Sequence, residues 1–98
     1  MSASLESRAT GQFAVVGELT FDSVPDLWQQ AVKLFANSPD LQLDLSGVTR
    51  SDSSGVAMLV GWLREARERQ REVSFINTPD QMTAIIRVSG LEQVLPIV

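Results

Sequence analysis

The chain has 98 residues and neither cysteine nor histidine, which allows one modest core and removes disulfides, thiol nucleophiles, the commonest general base and the commonest metal ligand. A formal charge of −4 argues against a general nucleic-acid binder, which needs a basic face, and against docking onto an anionic membrane by charge alone. Apolar residues make up 44% of the sequence, as in folded globular chains.

The opening "MSASLESRATG" has no basic segment followed by an apolar one, so no secretory signal is expected. The longest apolar stretch, Val56 to Leu63, spans eight residues and contains Gly61, against about 20 for a membrane span. A soluble, cytoplasmic protein without direct membrane insertion is the expectation.

Ser4 to Ala9 reads as a weak strand that turns at Gly11 into a stronger one, "QFAVVGE" over Gln12 to Glu18, with aromatic and β-branched content. The period then changes, and Val24, Leu27, Ala31, Leu34 and Phe35 recur at helical spacing. Ser23 is placed to cap this helix, Pro25 and Asp26 suit its first turn, and Pro39 lies beyond its end. "LQLDLSGV" alternates Leu41, Leu43 and Leu45 with Gln42 and Asp44, a short strand closed by Ser46 and Gly47. A second helix is expected from Ser54 to Gln70, and "EVSFIN" is the next strand. "TPDQMTAIIRVSG" gives a third helix, with Thr78 as cap, Pro79 first and Gln81 completing a capping box. Gly90 is placed to end it in a left-handed conformation. The tail "LEQVLPIV" adds at most a short last strand, which Pro96 confines to an edge. The alternation predicts a single α/β domain over residues 1–98. Its sheet is mixed but mostly parallel, with four to five strands and about three helices.

The stretch "SDSSG" at residues 51–55 stands where a strand hands over to an apolar helix. In open α/β sheets, ligand and partner sites gather at such junctions. One Asp or Ser side chain suffices to cap the helix, a contribution of roughly 1 kcal/mol. Four consecutive small polar residues, Ser51, Asp52, Ser53 and Ser54, exceed that need and suit a contact or modifiable surface. A phosphate there is favoured by the helix dipole and opposed by Asp44 and Asp52 if both are close. No base is in sight to activate a hydroxyl for catalysis. Along the second helix Val56, Leu59, Val60, Leu63 and Ala66 form one stripe toward the sheet, with Met58 and Trp62 on its flank. That wide apolar arc either packs against a neighbouring helix or forms an exposed patch beside the serines. Asp44 and Asp52 are the only obvious paired carboxylates and could hold Mg²⁺, but no phosphate-cradling glycine loop accompanies them. Asp44 is more simply a strand-end residue bonding the following turn. No catalytic residue, metal ligand or cofactor is therefore assigned.

"LQLDLSGVTRSDSSGVAML" resembles the core signature of STAS domains, shared by anti-sigma factor antagonists and sulfate-transporter tails. Its pattern is an apolar strand ending in Asp-Leu-Ser, a short loop, and Asp-Ser-Ser/Thr-Gly opening an apolar helix. "GELTFDSVPDLW" is similar to the family's upstream strand exit. Within the family, the Leu27–Trp28 pair and the Val94 to Pro96 tail resemble the MlaB-type subunits of Mla phospholipid ABC transporters. That resemblance implies a non-catalytic accessory subunit, peripheral at the inner membrane, that regulates or stabilises the transporter's ATPase and so helps maintain outer-membrane lipid asymmetry. Its partners would be the ABC-transporter ATPase subunit and, through it, the membrane permease. Thr20, Ser51, Asp52, Ser53, Ser54, Gly55, Met58 and Trp62 would form the contact face. The alternative is an anti-sigma factor antagonist switched by phosphorylation of Ser53, the residue matching the antagonists' modified hydroxyl. Two departures bear on that alternative: Thr20 stands where antagonists usually carry aspartate, and the sequence ends soon after "VSGL", where antagonists usually continue into a fourth helix.

Overall fold

The computed structural model describes residues 3–98. Strands β1 (Ala3–Ala9), β2 (Gln12–Leu19), β3 (Leu41–Ser51) and β4 (Val73–Ile76) alternate after the first hairpin with helices α1 (Val24–Phe35), α2 (Ser53–Glu68) and α3 (Asp80–Val88). The sheet runs in the order β1-β2-β3-β4. β1 is antiparallel to β2 across the Gly11 turn, while β2–β3 and β3–β4 are parallel. Parallel neighbours need long crossovers, and α1 and α2 supply them. The tail contributes one parallel bridge, Ile97 to Phe75, beside β4. Pro96 lends its carbonyl to the Phe75 amide at 3.0 Å, the edge position its missing N–H permits.

Leu41, Leu43 and Leu45 are buried and alternate with exposed or half-buried Gln42, Asp44 and Ser46, so the helices cover one face of the sheet. Val15, Leu19, Leu27, Leu59, Phe75, Met82 and Ile86 are fully buried in the same core, each contributing about 1.5–3 kcal/mol by its removal from water.

Several local expectations change. β3 does not stop at Ser46–Gly47: it runs on to Ser51 through an irregularity in its pairing with β2 that places Gly47 opposite Val16. The glycine marks a bulge inside the strand. Asp44 therefore lies within β3, eight positions before Asp52, which caps α2 just past the strand's end, a separation on the order of 25 Å along the strand, and the two carboxylates do not form a pair. Asp44 accepts the Ser46 amide at 2.9 Å and the Asn77 side-chain amide at 3.1 Å.

Ser23 precedes α1 but makes no capping bond. Its hydroxyl instead donates to the Glu18 carbonyl at 2.6 Å and accepts the Thr20 amide at 2.9 Å, closing the turn out of β2. The expected capping box of α3 is also not formed: Pro79, not Thr78, is the cap residue, and the Thr78 hydroxyl is buried without a partner. Gln81 is turned toward β3. Along α1, Leu34 faces solvent, and the inward stripe is Leu27 and Ala31 with half-buried Val24, Trp28 and Phe35. Gly90 does end α3 with a φ of 71°, and the Leu91 amide reaches back to the Ile86 carbonyl at 3.0 Å, a left-handed helix stop.

Candidate docking site

The carboxyl ends of β2 and β3 lie side by side, with Leu19 opposite Ser51. The turns leaving them are stitched together by the Asp52 amide, which donates to the Leu19 carbonyl at 3.0 Å. Thr20 is half-buried at the start of the β2–α1 turn, where its carbonyl accepts the Ser23 and Val24 amides at 3.1 and 3.0 Å. The structure thus brings Thr20 beside Ser51–Gly55.

The polar residues of the junction divide the work. Ser51 is 3% exposed, and its hydroxyl donates to the Asp52 carbonyl at 2.9 Å. Its amide donates to the Gln81 side chain at 2.8 Å. Asp52 is the cap of α2: one carboxylate oxygen accepts the Ser54 amide at 2.8 Å, the other the Phe21 amide at 3.2 Å. Partial burial pushes the Asp52 carboxyl up, but hydrogen bonds from the Ser54 amide, the Phe21 amide and the Ser54 hydroxyl outweigh it and hold the carboxyl below its ordinary value. Asp44 is also held low, first by the Ser46 amide and hydroxyl and then by Asn77. Ser53 is different. It is the first residue of α2 and exposed, and its hydroxyl has no hydrogen-bond partner among the described residues.

Gly55 is required by proximity. A Cβ there would meet the Ser51 hydroxyl and come within 2.8 Å of the Leu19 Cβ, so only glycine lets the first turn of α2 sit down on the strand ends.

Met58 and Trp62 do not form an exposed patch: they are 3% and 2% exposed. α2 is buried on two sides, by the sheet and by α1. Trp28 lies over Gly61, whose missing side chain makes room for the ring. The Phe35 ring meets Trp62 edge to face at 5.3 Å between centroids. The wide apolar arc of α2 is explained by this helix–helix contact. Trp62 cannot touch a partner through this face, and its indole N–H is buried without an acceptor. Met58 contributes only to the floor of a shallow groove of about 360 Å³, formed with Phe21, Val24, Pro25, Trp28, Ser54 and Ala57.

The sequence reading gave Phe21 no role, yet it is 80% exposed at the rim of this groove. The available signal was a lone aromatic in an otherwise polar turn, "TFDS".

The arrangement defines a STAS domain, and comparison with known proteins agrees. The family model described as "Mlab, STAS domain" matches residues 3–97, and the chain belongs to that domain family. The anti-sigma-B factor antagonist of Bacillus subtilis (strain 168) is 24% identical over 86 residues, covering 88% of this chain and 79% of the relative. Among solved structures, an anti-sigma factor antagonist from Mycobacterium paratuberculosis superposes with a TM-score of 0.74 at 22% identity, covering 97% of this chain and 82% of the other. The Bacillus cell fate determinant SpoIIAA in its phosphorylated form gives a TM-score of 0.71 at 19% identity, covering 98% and 90%. These structural likenesses show the fold. The curated relative is a regulatory antagonist, and the transporter role expected from the sequence gains no support from it. No helix among the described residues is long and apolar enough to cross a membrane. Among the same residues no group of three or more Asp or Glu side chains is placed to hold a metal ion.

Proposed function

We propose that this chain is a protein-docking switch of the anti-sigma factor antagonist type, in which a partner kinase phosphorylates Ser53. One observation carries the reading: of the three serines in the junction, only Ser53 is exposed, Ser51 being buried and Ser54 half-buried. The first turn of α2 offers a phosphate the positive end of a helix dipole, although Asp52 already takes the Ser54 and Gly55 amides. Asp52, one residue away, opposes it. A phosphate adds a charge of about −1.5 to −2 in the middle of a face that a partner must dry, so the unmodified form docks and the modified form releases. The domain itself is not an enzyme in this reading. Both Asp52 oxygens are occupied by amides, and neither is free to act as a base on Ser53. Among known proteins, the antagonist relative supports the reading.

A second reading keeps the same face and changes the partner to the ATPase of an Mla-type lipid transporter. Thr20, in place of the usual aspartate, favours it. Purifying the tagged chain from its own host in mild detergent separates the two. Recovery of a serine kinase without membrane subunits supports the antagonist. Recovery of an ABC ATPase with a membrane permease replaces it with the transporter subunit.

A further inference from the structure

We propose that the Phe21 groove receives an apolar side chain carried on a basic segment of the partner protein, with Phe21 as the anchoring contact on this chain. The inference rests on the docking reading above and specifies the chemistry of the surface that docks.

Phe21 is an exposed aromatic, whereas the other large apolar residues left facing solvent are aliphatic. Its backbone is also held: its amide is bonded to the Asp52 carboxylate, and the turn behind it is closed by the Ser23 hydroxyl. An aromatic ring on an ordered turn has only its two side-chain torsions to fix on contact and buries a large apolar area, so it contributes strongly to binding. Beside it, Val24, Pro25, Trp28, Ala57 and Met58 give the apolar hollow into which a partner side chain fits.

Charge selects the partner. The segments that build the site, residues 18–28 and 50–58, carry Glu18, Asp22, Asp26 and Asp52, and Arg50 is their only cation. Arg50 lies opposite Glu18 in the sheet. Asp22 and Asp26 are exposed at the start of α1. The hollow itself is apolar, and its lining residues Phe21 and Pro25 stand next in sequence to the exposed Asp22 and Asp26, so the complementary surface is an apolar side chain flanked by Lys or Arg. An anionic membrane and a second copy of this chain, itself at −4, are both disfavoured by sign.

The test places a photo-crosslinking phenylalanine at position 21 in one strain and at position 53 in another, in the protein's own host, and sequences the crosslinked peptides. The proposal expects both positions to capture the same polypeptide. The peptide joined at position 21 should carry Lys or Arg within a few residues of an apolar residue. Phe21→Ala should reduce the adduct at position 53 roughly tenfold or more, with an unchanged circular dichroism spectrum. Capture at position 53 alone, or an acidic peptide at position 21, overturns the inference while leaving the docking face in place. Capture at neither position overturns both.

Discussion

The Gln81 side-chain oxygen accepts the buried Ser51 amide at 2.8 Å, so α3 braces the strand end from which α2 grows. β4 ends at Ile76 and leaves this part of β3 without a strand neighbour on that side. The glutamine stands in for the missing ladder bond. Gln81→Ala should cost about 1–2 kcal/mol, the desolvation of an orphaned amide. Urea unfolding should show a lower midpoint with an unchanged slope, and hydrogen exchange should show reduced protection at Ser51.

Gly55→Ala forces a Cβ between the Ser51 hydroxyl and Leu19. Leu19 is fully buried and cannot swing away. The strain should cost about 1–3 kcal/mol, as for other overpacked positions, although alanine raises helix propensity by about 1 kcal/mol. A thermal melt reads the balance, and a variant as stable as the parent would contradict the close approach.

Asp52 links stability to pH. Its folded pKa lies below the unfolded value, so its contribution is fully present above the unfolded pKa of about 3.9. That contribution is lost as pH falls through the lower folded value. Asp52→Asn keeps a good cap at neutral pH but has no charge to lose. Its stability should fall less steeply than the parent's below about pH 4, with Asp44 accounting for part of the remaining slope. Chemical unfolding at a series of pH values checks this.

Asp52→Ala removes both the cap and the bond that fixes the Phe21 amide. The expected cost is roughly 1 kcal/mol from the cap, with the β2–α1 turn loosened as well. Faster amide exchange at both Phe21 and Ser54 would show the coupling. Faster exchange at Ser54 alone would mean that the turn is held by Ser23 without Asp52.

How much of this was legible in the sequence depended on how local the signal was. Alternating leucines in β3, the helical stripe of α2 and the Gly90 stop are set by neighbours in the chain, and all are found. The end of β3 was misplaced because Gly47 reads as a terminator when it is a bulge, and nothing local distinguishes the two. Ser23, Thr78 and Gln81 have capping chemistry, but Ser23 closes the turn out of β2, Gln81 bonds β3 and the Thr78 hydroxyl is left without a partner. Met58 and Trp62 were placed at an interface because a wide apolar arc does not say whether α1 or a partner covers it. The Ser51–Gly55 junction was visible as a strand-to-helix handover in the sequence, whereas Thr20 was reached only through the family resemblance, and the structure places the two side by side. The separate duties of the serines required coordinates, because burial of Ser51 depends on Gln81, thirty residues further on.

The docking switch stands on Ser53 as the hydroxyl that a kinase modifies. The most direct measurement incubates the purified chain with ATP and an extract of its own host, then maps phosphate by mass spectrometry on the parent, Ser53→Ala and Ser54→Ala. One phosphate is expected on the parent, none on Ser53→Ala and one on Ser54→Ala. A parent that stays unmodified, or a Ser53→Ala variant that still takes phosphate in the junction, would contradict it.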